Sequence, residues 1–487
     1  MTTATDIRAL YDRALQAVAE RRSDDAIRLL EGALALAPGE ASIFNNLGLA
    51  LLEAGRPTDS ALRLRQALML RPDLAETRSN LIFALDADPA GDAASQQAER
   101  RRWAARHAAR FAKTPAPHGQ TRDPERRLRV GYVSADFRRH SAAAIFAPIV
   151  TGHDPSRIDV VCYSATREVD EATESFRRKA GLWRDIAEAD DDKVAETVRA
   201  DAIDVLVDLS GHSGGGRLLV FARKPAPIQV SAWGHPTGTG LDQIDALFAD
   251  RVVVPESERR LFAERIEDLP CLLTFEPPPG APDIRCAGTR GRAPIFGSFN
   301  RVAKLSGRVL ACWAGIVAAT SGARLVLKDA GFDDPGIRAR ILAALGAGGL
   351  AAERVELRGR TDRLVHLAAY NDIDVGLDPW PMNGGFSTLE ALWMGVPVVA
   401  LRGRSISGRG CASILSVLGR PDWIAESEAD YRARALALMA DDAGRAAFAA
   451  SARERLRATA LADPRRVVDA VEAIYRRLWR DYCASGS

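Results

Sequence analysis

The sequence predicts an α/β protein: two lobes, each a parallel sheet covered by helices, preceded by a short all-α repeat arm. Three observations predict it. An internal repeat occupies the first part of the chain. From Arg127 onward, short apolar strand candidates alternate with helical patterns. A Pro/Gly-rich break, EPPPGAP at Glu276–Pro282, divides that alternation into two series.

The repeat sets the arm. Residues Ile7–Glu40 and Ala41–Leu74 align at a period of 34, the spacing from Pro38 to Pro72. Ala14 aligns with Gly48, and EGALALAP with RQALMLRP. Each unit reads as two amphipathic helices closed by a proline, and period and pattern resemble the tetratricopeptide repeat. A third unit starts at Ala75 and then degenerates. Such units cannot bury their apolar faces singly and must stack. The arm is therefore placed at 1–85. A helical and linker segment follows at 86–127, with AERRRWAARHAARFA helical and KTPAPHGQTRDPERR a polar, Pro-containing end. The basic run near Arg100 reads as a solvated helix face, since acids flank it and no interleaved aromatics follow.

The first lobe is placed at 128–283, with strand candidates LRVGYVSA, IDVVCYSA, AIDVLVDLS and PIQVSAWG. The second is placed at 284–487, with PIFGSFN, ARLVLKD, RVELRG, IDVGLD and VPVVAL. Strands separated by roughly 10–15-residue helices imply parallel sheets with helices on both faces. Such Rossmann-like lobes bind ligands beyond the carboxyl ends of their strands, so a cleft between the lobes is expected to hold the site. The last helix, VVDAVEAIYRRLWRDYC, is amphipathic and is expected to pack back across the lobes.

Composition narrows the function classes. The 487 residues suffice for about three domains of roughly 150 residues each. Lys plus Arg (66) nearly balances Asp plus Glu (64), so nothing argues for a nucleic-acid partner. Cys162, Cys271, Cys286, Cys312, Cys411 and Cys483 are widely spaced without a CxxC, which points to reduced thiols rather than a disulfide framework or zinc site. MTTATDIRAL carries no secretory pattern, and no apolar run reaches the ~18 residues of a membrane span, so the expected address is the cytoplasm.

The segment DIDVGLDPWPMNGGFSTLEALWMGVPVVA (Asp372–Ala400) is the most informative. An apolar strand runs into a Pro/Gly loop and then a helix. Ser387 fits an N-cap with Glu390 three residues on, a capping box. Gly384 and Gly385 allow close approach to the backbone, and the N–H groups and dipole of the helix start at Phe386, Ser387 and Thr388 suit a diphosphate. Glu390 is either a capping carboxylate or a grip for ribose hydroxyls. In GSFNRVAKL, Lys304 follows a strand end, where a cation would neutralise a leaving diphosphate, and Arg301 would assist. In the first lobe His140, His212 and His235 each follow a strand end, an unusual concentration for a chain with seven histidines. The one Asp-x-Asp match in the second lobe, Asp372–Ile373–Asp374, sits at a strand start and reads as structural, so no metal is expected. No GxGxxG with a downstream acid in the right context and no GxxxxGK[ST] loop appears, which weakens dinucleotide and ATP readings.

Together GYVSADFRRH, DLSGHSGGGR, KPAPIQVSAWGHPTGTG, FNRVAKLS, DVGLDPWPMNGG and EALWMGVPVV resemble the signatures of the O-linked N-acetylglucosamine transferase and SPINDLY family, glycosyltransferase family 41, in that family's order. The resemblance implies a GT-B fold and inverting, metal-free transfer of N-acetylglucosamine from UDP-N-acetylglucosamine to Ser or Thr hydroxyls of a protein, with the nucleotide sugar as co-substrate and no other cofactor. It implies that His140 lines the acceptor side as a candidate base and that Lys304 contacts the diphosphate. It implies that Arg301 and His366 lie near the nucleotide, that Gly385–Ser387 form the cradle and that Glu390 meets the ribose. The repeats would help hold the protein acceptor. Two departures stand out: Gly385-Phe386-Ser387 replaces a Thr-Thr pair, and Asp204 stands where the animal enzymes carry a histidine. Phe386 keeps a GDP-fucose donor, used by the SPINDLY branch, as an alternative. A non-catalytic repeat scaffold is the alternative of another class.

Overall fold

A computed structural model of the chain describes residues 4–20, 22–111, 117–285 and 292–485, so Cys286 lies outside the described residues. Two compact units emerge, one formed by residues up to Gly91 with Pro277–Leu456, the other by Asp92–Glu276 with residues from Arg457 on.

The first unit begins with the arm: α1 (Ala4–Ala19), α2 (Ser23–Leu36), α3 (Ala41–Glu53), α4 (Pro57–Leu70) and α5 (Ala75–Asp86). The 34-residue phase is visible in the packing. Ala14 and Leu30 are fully buried in the first helix pair, and a Cβ on Gly48 would lie 2.6 Å from Cγ of Leu64 in the second. Small residues thus sit at the aligned position because a partner leucine fills the space. A second apolar cluster, with Leu52, Leu64, Leu81 and Ala84 at its centre, has Met382 of the second lobe packed on it.

The other unit opens with α6 (Ala93–Trp103), whose N-cap Asp92 takes the Ser95 N–H while the Ser95 hydroxyl meets the Asp92 N–H. The solvated-face reading of the basic run is corrected at Arg100. Arg101 and Arg102 are exposed, but Arg100 is fully buried and donates to the Gly238 carbonyl at 2.9 Å and Thr237 Oγ1 at 2.6 Å. A buried guanidinium is tolerated because carbonyl and hydroxyl oxygens replace its water.

The first-lobe sheet has seven parallel strands: β1 (Leu128–Ser134), β2 (Ile158–Ser164), β3 (Leu182–Asp185), β4 (Val205–Asp208), β5 (Ile228–Ser231), β6 (Ala246–Ala249) and β7 (Arg265–Asp268). Their order is β3-β2-β1-β4-β5-β6-β7. The expected four strands are β1, β2, β4 and β5; β3, β6 and β7 are unforeseen. Helices α7 (Ser141–Val150), α8 (Glu171–Lys179), α9 (Asp191–Ala200) and α10 (Leu218–Ala222) connect the strands up to β5.

The second-lobe sheet has six parallel strands in the order β10-β9-β8-β11-β12-β13. They are β8 (Ile295–Ser298), β9 (Arg324–Lys328), β10 (Val355–Arg358), β11 (Val375–Leu377), β12 (Val398–Leu401) and the two-residue β13 (Ile424–Ala425), the last unforeseen. Between and after them run α11 (Gly307–Ala318), α12 (Pro335–Ala347), α13 (Arg363–Ala368), α14 (Phe386–Trp393), α15 (Gly410–Val417), α16 (Glu428–Ala440) and α17 (Asp442–Arg457). Asp374 sits at the start of β11 and braces the strand bottom, taking the Ile295 N–H at 2.8 Å and Arg292 at 2.6 Å.

The final helix α18 (Pro464–Ala484) belongs to the unit that holds the first lobe. Its buried Glu472 accepts from the Asp154 N–H at 2.9 Å and lies 3.1 Å from His153 Nδ1, while the Tyr132 hydroxyl lies 2.6 Å from His153 Nε2. A carboxylate can only accept, so His153 Nδ1 is the donor to Glu472. No helix among the described residues is long and apolar enough to cross a membrane.

Candidate donor site at the second-lobe switch point

Strand order fixes where a ligand can sit. From β8 the chain builds outward through β9 and β10 on one side, then returns to β11 on the other. The connections after β8 and β11 therefore diverge, leaving a crevice beyond those two strand ends.

Both expected loops arrive there. After β8 come Phe299, Asn300 and a short turn, Val302–Lys304. After β11 comes Asp378 and the loop to Gly385. Lys304 Nζ crosses between them and donates to the Asn383 carbonyl at 2.6 Å. The Ser387 hydroxyl donates to Asn300 Oδ1 at 3.1 Å, a second tie between the loops. A small cavity of about 20 Å³ lies between these segments, lined by Gly297, Asn300, Gly376, Asp378, Ser387 and Thr388 among others.

The capping box is corrected. Helix α14 starts at Phe386 with Gly385 as N-cap and no side-chain cap, so Ser387 and Glu390 lie inside the helix. The reason is competition for partners. Asp378 Oδ1, fixed at the strand end, takes the Gly384 N–H at 2.7 Å and ends the loop early. A Cβ on Gly384 would lie 2.5 Å from that same oxygen and 2.6 Å from Thr388 Oγ1, which is why glycine stands there. The loop after β11 thus delivers the N-terminal turn of α14, with Ser387 and Thr388 lining the cavity.

Glu390 is buried in α14 and holds three neighbours. Arg363 Nη1 donates to Oε1, His366 Nε2 lies 3.2 Å from Oε2, and the Tyr370 hydroxyl lies 3.4 Å from Oε2. Phe299, His366 and Tyr370 form an aromatic wall, with Phe299 and Tyr370 centroids 4.4 Å apart and Phe299 and His366 5.5 Å apart. The Arg363 guanidinium lies 5.2 Å from the centroid of Phe386, the residue that departs from the family pattern. Arg301 is half exposed and pairs with Glu53 of α3 at 2.8 Å.

Charge follows burial. Burial pulls the Lys304 ammonium below the usual lysine range, opposed by the Asp378 carboxylate. Burial pushes Asp378 up, opposed by Lys304 and the Gly384 N–H, and the Thr388 hydroxyl and Cys411 thiol lie against the same carboxylate. His366 is pushed down to about 4 by burial, then by Lys328 and Arg363, so it is neutral at pH 7 and in a position to donate Nε2–H to Glu390. The site thus holds a cation of reduced stability beside backbone N–H groups, an arrangement made more comfortable by an arriving anion.

In the first lobe the chain reverses between β1 and β4. His140 follows β1, half-buried, and caps α7 with Nδ1 3.3 Å from the Ala142 N–H and 3.4 Å from Asp136 Oδ2. His212 follows β4 but is buried, its Nε2 2.9 Å from the Thr239 carbonyl and its ring edge-on to Trp103. His235 follows β5, half-buried, and its carbonyl takes the Thr237 N–H at 2.8 Å. Asp204 is at the opposite end of its strand, paired with Arg126 at 2.5 Å.

Asp378, Asn300, Tyr370 and Arg363 escaped the sequence reading. The rule that selected Lys304, a polar residue just past an apolar strand, also selects Asp378 in VGLD. The others carry no local signal and are joined to the site by the fold.

A family model for glycosyl transferase family 41 matches residues 96–274 and 288–470. A Petunia hybrida protein named "Probable UDP-N-acetylglucosamine--peptide N-acetylglucosaminyltransferase SPINDLY" is 34% identical over 373 residues, 74% of this chain and 40% of the relative. The Oryza sativa subsp. japonica protein of the same name is 34% identical over 433 residues, 86% of this chain and 46% of the relative. The chain thus spans less than half the length of these curated relatives. Among solved structures, a variant of Thermobaculum terrenum O-GlcNAc transferase is 36% identical, with a TM-score of 0.91 and 100% of both chains covered. By these matches across both lobes, the chain belongs to glycosyl transferase family 41.

Proposed function

We propose that the chain is a protein O-glycosyltransferase that moves N-acetylglucosamine from UDP-N-acetylglucosamine to Ser or Thr hydroxyls of a protein. The observation that carries this reading is the placement of Lys304, tied to the Asn383 carbonyl, beside the loop that leads into α14 at the second-lobe switch point. A diphosphate there gains a charge-assisted contact and helix N–H groups together. Family membership and the names of the relatives support the same reading.

In the proposed reaction the acceptor oxygen bonds to the anomeric carbon as the bond from that carbon to the β-phosphate oxygen breaks. UDP leaves with the electron pair, and a single displacement inverts the anomeric centre. Lys304 and the α14 amides stabilise the departing charge, the task a metal performs in other enzymes, so metal-independence is part of the proposal. His140 is the proposed proton acceptor. That role requires the tautomer in which Nδ1 carries its hydrogen toward Asp136 in place of accepting the Ala142 N–H, which leaves Nε2 the lone pair that takes the acceptor proton. The repeats are proposed to help hold the protein acceptor, and the cytoplasm is the proposed compartment, on the wide spacing of the cysteines.

One observation favours a second donor. Phe386, with Arg363 against its ring, stands at the helix start where hydroxyl side chains are the family pattern, and a GDP-fucose donor is the alternative it raises. Incubation with each sugar nucleotide and a lysate of cells lacking the gene, followed by intact-mass analysis, separates them. A gain of one N-acetylhexosamine is the expected result; a deoxyhexose instead, or no gain, contradicts it.

A further inference from the structure

The arm touches both loops of the donor site. At the α3–α4 corner, Gly55 has a φ of +74°, and a Cβ there would lie 3.0 Å from the Val302 carbonyl oxygen and 3.2 Å from that of Leu305. The arm backbone thus rests directly on the turn that carries Lys304. Beside it, Glu53 accepts from Arg301, the residue that opens that turn, at 2.8 and 3.1 Å. At the other end, a relay runs from α5 to the same lysine. The Ser407 hydroxyl donates to the Asp86 carbonyl at 2.8 Å, and the Asn383 N–H donates to the Ser407 carbonyl at 2.9 Å. The Asn383 carbonyl then accepts Lys304 Nζ at 2.6 Å. Met382, one residue earlier, packs on the apolar cluster of α3–α5.

We propose that the repeat arm is a positioning element of the donor site: Glu53 and Gly55 hold the Lys304 turn, and the end of α5 holds the Asn383 loop. This inference rests on the donor reading above. It gives the arm a role toward the nucleotide that is separate from any hold on an acceptor. A site of fixed donors binds a diphosphate without first ordering its loops, so loosening the arm contact raises the cost of binding.

The test is calorimetric titration of the full chain with UDP. Gly55→Asn keeps the left-handed backbone accessible, since Asn tolerates that region, but adds a Cβ against the Val302 carbonyl. It is expected to weaken UDP binding about tenfold, the effect of about 1.4 kcal/mol. Glu53→Gln removes an exposed ion pair and is expected to weaken binding by about 2- to 5-fold. In an Arg301→Gln background, Glu53→Gln is expected to have no further effect, which separates positioning through Arg301 from general loss of stability. UDP affinity unchanged or raised in Gly55→Asn and Glu53→Gln overturns the inference while leaving the donor reading intact. If Gly55→Asn does not fold, Glu53→Gln and its double variant decide the matter alone. An unaltered protein that does not bind UDP overturns the donor reading, and this inference with it.

Discussion

Lys304 holds its charge where burial opposes it, and the sign of that conflict is testable. Its pKa lies below the usual lysine value because burial disfavours the ammonium, with Asp378 as the partial counterweight. The cationic form is the one that binds a diphosphate. Donor affinity should therefore be full on the acid side of the lowered pKa and fall as pH rises through it, at lower pH than a solvated lysine would show. A series of UDP titrations from neutral to alkaline pH checks this; affinity that stays flat until the ordinary lysine range contradicts it. Asp378→Asn keeps the shape but removes the counter-charge, leaving a buried ammonium beside a neutral amide. The expected loss is about 1–3 kcal/mol of UDP binding, read from the same titration. An unchanged dissociation constant would mean that Asp378 serves the Gly384 turn alone.

At the scale of elements, the sequence carried long signals and lost short ones. The alternation of strand and helix, the repeat period and the placement of Lys304 after a strand were legible because each spans several residues or a whole turn of chain. Strands β3 and β7 were not, since charged residues break the apolar run in LWRD and RIED, and β6, ALFA, carries no β-branched residue. The start of α14 was misread because a capping-box pattern is local, while the helix start is set by Asp378 gripping the Gly384 N–H. Arg100 was misread because its partners, Gly238 and Thr237, lie far away in sequence. The same distance effect governs α18, whose attachment runs through Glu472. Burial pushes that carboxyl up, but His153, the Asp154 N–H and Arg157 outweigh it, and its pKa lies below the usual 4.5. The stabilisation is therefore complete above the ordinary carboxylate pKa and is lost as pH falls through the lowered value. Glu472→Ala removes the acceptor of His153 Nδ1 and the Asp154 N–H and is expected to cost about 1–3 kcal/mol in urea denaturation. A loss under about 1 kcal/mol would mark the contact as a surface pair in effect.

At the scale of the molecule, the arm and the second lobe form one compact unit although the first-lobe sequence separates them. The linear reading assigned the arm its own segment because the repeat signal ends where the repeats end. Packing does not respect that limit: Met382 lies on the arm's cluster, and Asp24 of α2 pairs with Arg340 of α12 at 3.2 Å. A chain truncated to begin at Asp92 should therefore expose an apolar face of the second lobe and lose cooperative unfolding, measured by calorimetry and solubility. A truncated chain that melts like the full one would show the arm to be independent. The central claim is that Lys304 and the start of α14 hold the donor's diphosphate, and UDP titration of the unaltered protein beside Lys304→Ala tests it most directly. The account predicts saturable binding that weakens by about 10²-fold or more in the variant, the scale of losing one buried charge-stabilising donor. Equal affinity in the two proteins would contradict it.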